Sequence, residues 1–170
     1  SGVQFFDSAF AYGPQWSDKI IADALSPYSD DLIIATKGGV DKPAPGKAVV
    51  DASSETLTKQ IDIALSNLKT DCIDLFQLHR VDPNVPLEDS IGALEHARSA
   101  GKIEMIGLSN VTRQQLETAL EITKIASVQN RFNQNEREDE NLVEFTNLKG
   151  IAYLPWGPLG ADPFKRGAIL

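Results

Sequence analysis

Six places in this chain set a reactive or ligand-holding side chain where an apolar run stops: Asp7, Lys37, His79, Ser109 with Asn110, Gln129 with Asn130, and Trp156. Tyr12 follows Asp7 by five positions, in the stretch Asp7-Ser8-Ala9-Phe10-Ala11-Tyr12-Gly13. A phenol is a proton donor at neutral pH but a sluggish one, and a nearby ammonium makes it a better acid. Lys37 can supply that ammonium, Asp7 can hold it by an ion pair, and His79 can hydrogen-bond and orient a substrate oxygen. The four together suit a proton donor facing a carbonyl. Taken singly each has an ordinary explanation: a helix cap, packing, a solvated charge, a structural histidine. Their recurrence at three consecutive run ends is what argues for chemistry. His96 lies mid-helix and is read as surface or packing.

A second group is neutral. Ser109, Asn110 and Gln129 offer the donor and acceptor that a carboxamide needs. The indole of Trp156 offers a flat face for a ring. A nicotinamide carries both a ring and a carboxamide, so the two features together suggest it.

Side chains from six separate runs converge only if the runs are parallel strands, whose C-terminal ends share one mouth. The candidates are Val3–Asp7, Leu32–Lys37, Ile73–His79, Ile103–Ser109, Ala126–Asn130 and Ile151–Trp156. Most are almost continuously apolar, as suits strands covered on both faces. Helical stripes fill the gaps. Leu57, Ile61, Ala64, Leu65 and Leu68 make the clearest one, with Ser53 or Ser54 as N-cap. Pro86 opens a helix carrying Leu87, Ile91 and Leu94, which Gly101 ends. Thr112-Arg113-Gln114-Gln115 is a capping box. Two weaker helices cover Ser17–Leu25 and Glu138–Leu148. The order βαβαβαβαβαβ predicts an α/β protein of (β/α)8 TIM-barrel type, here an incomplete barrel of about six βα units. Residues 1–170 are read as a single domain. Gly38–Asp51, with Pro43 and Gly46, is too long for a plain connection and is expected to be a mobile loop over the mouth.

Composition narrows the class. The chain has 170 residues, 42% of them hydrophobic, and a net charge of −8. That acidity argues against a nucleic-acid partner. Cys72 is the single cysteine and is expected to be a small buried side chain. There is no apolar stretch of membrane-spanning length and no signal peptide, so a cytoplasmic protein with no membrane partner is expected.

Asp7-Ser8-Ala9-x-x-Tyr12-Gly13, Ile33-Ile34-Ala35-Thr36-Lys37 and Asp74-Leu75-Phe76-Gln77-Leu78-His79-Arg80 resemble the aldo-keto reductases. So do Gly101-Lys102-Ile103 through Ile106-Gly107-Leu108-Ser109-Asn110, Ser127-Val128-Gln129-Asn130, and Trp156-Gly157-Pro158-Leu159. The resemblance covers nearly the whole chain, in the family's order. It implies reduction of aldehydes or ketones with NADPH, or with NADH, and a small-molecule carbonyl substrate. By resemblance, Tyr12 is the general acid of a tetrad with Asp7, Lys37 and His79. Ser109, Asn110 and Gln129 match the residues that hold the carboxamide, Trp156 the aromatic that stacks on the ring, and Gly157 and Leu159 the loop beside the pyrophosphate. No metal is expected. Ser8 stands where the family often has Thr.

The chain matches the second through the seventh strands of the family barrel. The first and eighth strands, and the region that grips the adenosine 2′-phosphate, have no counterpart. The opening at Ser1-Gly2 and the close at 167–170 without a final helix read as cut edges. A longer natural protein is therefore expected, and a free-standing chain of this length is expected to be poorly stable and weakly active. Other chemistries fit parts of the pattern: a Schiff-base aldolase using Lys37, a metal hydrolase using Asp7 and His79, and a non-catalytic nicotinamide-binding or redox-sensing subunit. Oligomeric state is not legible.

Overall fold

The computed structural model describes residues 2–13, 15–44 and 46–160. The expectation for 167–170 lies outside them. Six strands form one parallel sheet: β1 (Phe5–Asp7), β2 (Ile33–Gly38), β5 (Ile73–Leu78), β6 (Ile103–Ser109), β7 (Ser127–Gln129) and β8 (Ala152–Tyr153), adjacent in that order. The connecting helices are α1 (Trp16–Leu25), α2 (Ser54–Leu68), α3 (Leu87–Ser99), α4 (Arg113–Ile122) and α5 (Glu140–Lys149). The sheet curls into a partial barrel of the (β/α)8 type.

Local signals explain where the helices begin and end. The Ser53 hydroxyl accepts from Thr56 N and caps α2. Thr112 and Gln115 complete the capping box of α4. Gly101, at φ +74°, turns the chain out of α3. The helices cover the outer face of the sheet. Leu57, Ile61 and Leu68 of α2, Ile91 and Leu94 of α3, and Leu116 of α4 pack with Phe76, Leu78, Ile106, Leu108 and Val128 in one buried cluster. No helix among the described residues is long and apolar enough to cross a membrane.

Register decides what lines the inner face. Lys37 pairs with Gln77, Gln77 with Gly107, and Gly107 with Ser127. Register partners in parallel strands share a face. One inward row therefore reads Lys37, Gln77, Gly107, Ser127. Ser109 and Gln129 pair two residues further along.

Two expectations are corrected. Gly38–Asp51 is a hairpin, with β3 (Val40–Ala44) antiparallel to β4 (Lys47–Val50). Val40, Val49 and Val50 favour extended backbone, Gly46 supplies a φ of +77° at the turn, and Asp51 N closes back on Gly39 O at 3.1 Å. Cys72 is exposed. The strand starts one residue later, and Cys72 lies in the turn where Thr70 Oγ1 donates to its carbonyl.

Two strands run past their assigned ends. Leu154 N donates to Val128 O and Trp156 N to Asn130 O, so β7–β8 pairing reaches Trp156 as expected. Pro155 is tolerated because the N–H groups on either side of it, those of Leu154 and Trp156, make the bonds to β7.

Candidate active site

The mouth of the sheet gathers side chains from four elements. Lys37 is 1% exposed. Its Nζ donates to both carboxylate oxygens of Asp7 at 2.8 Å and to the Ser8 carbonyl at 2.7 Å. Asp7, with a side chain 30% exposed, also accepts from Gln77 Nε2 at 3.3 Å and Gln129 Nε2 at 3.2 Å. Tyr12 lies just beyond β1. Its ring centroid is 5.2 Å from Lys37 Nζ and 5.9 Å from the His79 ring, which it meets edge-on at 86°. His79 caps β5, with its backbone N–H on Gly38 O at 2.8 Å. Asp7, Tyr12, Lys37 and His79 thus share one small volume.

Their ionisation follows from that packing. Burial pulls the Lys37 ammonium below its ordinary pKa, against the pull of Asp7 and Asp18. Burial lowers His79 to about 4, helped by the charges of Lys37 and Arg80, so the imidazole is neutral at neutral pH. Its Nδ1 is sealed without a partner among the described residues. Tyr12 departs from expectation. Burial and the negative charge of Asp7 raise the phenol above its ordinary value. Lys37, paired with Asp7 at contact distance, does not outweigh that burial.

Asn110 sits at the edge of the second group, in a left-handed conformation at φ +56°. Its Nδ2 donates to the His79 carbonyl at 3.1 Å and to Ser109 Oγ at 2.9 Å, and its Oδ1 accepts from Trp156 Nε1 at 3.1 Å. Both amide protons are engaged, so Asn110 holds its neighbours in place. The groups left for a carboxamide are the Ser109 hydroxyl proton and Gln129 Oε1, which accepts no hydrogen bond among the described residues. One donor and one acceptor are what a carboxamide requires, and the pair fits it. One face of Trp156 is covered by the Arg131 guanidinium, 5.4 Å from the ring centroid. Gly157, at φ +64°, turns the chain there and its carbonyl accepts from Asn133 Nδ2 at 3.1 Å. Leu159 is exposed.

Asn130 turns away from the mouth. Its amide bonds Val111 N at 3.0 Å, Val111 O at 2.7 Å and Asp139 at 2.6 Å, tying β7 to the start of α4. Sequence reasoning missed Gln77, the inward neighbour of Asp7. Its signal was present: a polar residue inside an apolar run, two positions before His79 and so on the same face. Among the described residues no three His, Cys, Asp or Glu side chains cluster as metal ligands.

A partial parallel barrel with polar side chains gathered at the C-terminal ends of its strands defines the class of barrel enzymes. Within that class, the sequence matches the aldo/keto reductase family over residues 1–167, and the chain belongs to this family. It is 37% identical over 169 residues to an uncharacterized oxidoreductase of Schizosaccharomyces pombe, covering 99% of this chain and 55% of that protein. It is 38% identical over 165 residues to pyridoxine 4-dehydrogenase of Escherichia coli, covering 94% and 58%. Among solved structures, glycerol dehydrogenase of Gluconobacter oxydans superimposes with a TM-score of 0.85 at 27% identity, covering 92% of this chain and 49% of that one. The chain spans little more than half the length of these curated relatives.

Proposed function

We propose that this chain carries the carbonyl-reducing centre of an NADPH-dependent oxidoreductase acting on aldehydes or ketones, with NADH as the other usable donor. The observation that carries the reading is the placement of the Tyr12 ring 5.2 Å from the Lys37 ammonium and edge-on to the His79 ring. Two of the proteins it resembles are named as dehydrogenases.

In this reading the substrate oxygen sits between the Tyr12 hydroxyl and the neutral His79 imidazole, which donates a hydrogen bond and orients it. A reduced nicotinamide, when bound, supplies the hydride. Ser109 and Gln129 hold its carboxamide, and Trp156 offers the face opposite Arg131 to the ring. As negative charge builds on the substrate oxygen, the Tyr12 proton moves to it. The Lys37 ammonium behind the ring stabilises the phenolate that remains. A raised phenol pKa keeps Tyr12 fully protonated until that moment. Asp7 holds Lys37 in place.

The arrangement opposes a Schiff-base role for Lys37. Its three protons point to three oxygens, which leaves no lone pair aimed at a carbonyl. The raised Tyr12 pKa does favour a second reading, a nicotinamide-binding subunit with little turnover. One experiment separates the two. In the full-length protein, oxidation of NADPH and NADH is followed optically across an aldehyde panel, beside Tyr12→Phe. Turnover that Tyr12→Phe abolishes while cofactor binding persists supports the reductase. Binding without turnover in the parent protein selects the second reading, and full turnover in Tyr12→Phe removes Tyr12 from its role.

A further inference from the structure

Asp18 lies in the first turn of α1, where a carboxylate ordinarily faces solvent and the helix N-terminus. Here its side chain is fully buried. Oδ1 accepts from Ser8 Oγ at 2.5 Å and from Thr36 Oγ1 at 3.0 Å, while Oδ2 is sealed with no partner among the described residues. A buried carboxylate with an unsatisfied oxygen is costly. Packing alone would favour an apolar residue at this position.

The two donors identify what the carboxylate does. Ser8 follows Asp7, and Thr36 precedes Lys37. Strand alternation turns Thr36 to the outer face, toward α1, and Lys37 to the inner one. The Ser8 carbonyl also takes the third proton of Lys37. The direct counterion of the sealed ammonium, Asp7, is partly open to water.

We propose that Asp18 is a positioning residue for Lys37: it pins Ser8 and Thr36, the neighbours of the ion pair, and sets a second negative charge, this one buried, behind the ammonium. Burial pushes Asp18 up in pKa while Ser8, Thr36 and Lys37 pull it down. Asp18 in turn helps hold the Lys37 proton against burial. The other titratable groups that face Lys37 are Asp7, Tyr12 and His79, and Asp18 also faces Tyr28, whose phenol is raised by burial and then by Asp18 and Asp74.

The inference uses the proposed function only for its second readout. The first is the titration of the Lys37 ammonium by NMR in full-length protein labelled at lysine, without substrate. Asp18→Asn keeps the shape and the acceptor oxygen but removes the charge. It is expected to lower the Lys37 pKa and to move the alkaline limb of kcat/KM the same way. A Lys37 titration unchanged in folded Asp18→Asn overturns the proposal, whatever the activity. If Asp18→Asn does not fold, Thr36→Val decides. Removing one donor makes the Asp18 carboxylate harder to ionise, so the Lys37 titration shifts in the same direction by less, and no shift overturns the proposal.

Discussion

The Lys37 ammonium lies 5.2 Å from the centre of the Tyr12 ring, yet its three protons all point to oxygens of Asp7 and Ser8. The phenol therefore feels a neutralised pair and not a bare cation, and its pKa rises with burial and with Asp7. The ion pair is also lopsided, 1% exposed on the lysine side and 30% on the aspartate side.

That asymmetry orders two variants. Asp7→Asn leaves a sealed ammonium without its direct counterion and is expected to cost about 3 kcal/mol of stability. Lys37→Met leaves a carboxylate that water still reaches and is expected to cost about half as much. Urea midpoints of both variants check the order. A greater loss for Lys37→Met would mean that the aspartate is the more desolvated partner.

The neutral state of His79 predicts how stability varies with acid. Its pKa is about 4 in the folded chain, against 6.5 when unperturbed. Between those values the unfolded chain binds more protons than the folded one, so stability falls as pH drops through this window. His79→Gln should flatten that slope. Urea denaturation of both proteins at several pH values between 7 and 4 measures it, and parallel curves would contradict the depressed pKa.

Glu95 acts in a lower window. It accepts from Arg98, Ser99 and Thr123, which hold it down to about 2 and tie α3 to the end of α4. A depressed carboxylate stabilises the fold above its unfolded pKa and loses that contribution as pH falls toward 2. Its side chain is partly exposed, so Glu95→Gln is expected to cost about 1 kcal/mol near neutrality. The difference from the parent should vanish near pH 2, and thermal melts across that range would show it.

Gly107 tests the inward row. A Cβ there would stand 2.4 Å from Ser127 Oγ and 2.8 Å from Gln77 Cγ. Gly107→Ala is expected to cost about 2 kcal/mol and to push Gln77 away from Asp7. Adding Ser127→Ala should recover part of the melting temperature. Full recovery would mean that Gln77 is not displaced.

Much of this was legible in one dimension. The runs ending at Lys37, His79 and Ser109 predicted strands that end within one residue of those positions. The Thr112 box and the Ser53 cap formed where their local spacing placed them. These signals are local: alternation, caps and breakers act over a turn or a few residues. What escaped was non-local. The prolines and glycines of Gly38–Asp51 read as a loop, although its valines pair across a hairpin. Cys72 read as a small buried side chain, although it lies exposed in the turn just before β5. Asn130 read as a mouth residue, although its amide satisfies the backbone of Val111, nineteen positions away.

The sequence by itself determined which residues end strands and, through the two-residue period, which of them share a face. Tertiary structure alone decided their partners and their charge. Hydrogen bonds to Asp7 come from three other strands, β2, β5 and β7, and register sets those distances. The direction in which Tyr12, His79 and Asp18 shift is a sum over burial and charges brought together from separate elements. No spacing along the chain contains that sum, because desolvation depends on what packs around a group in space.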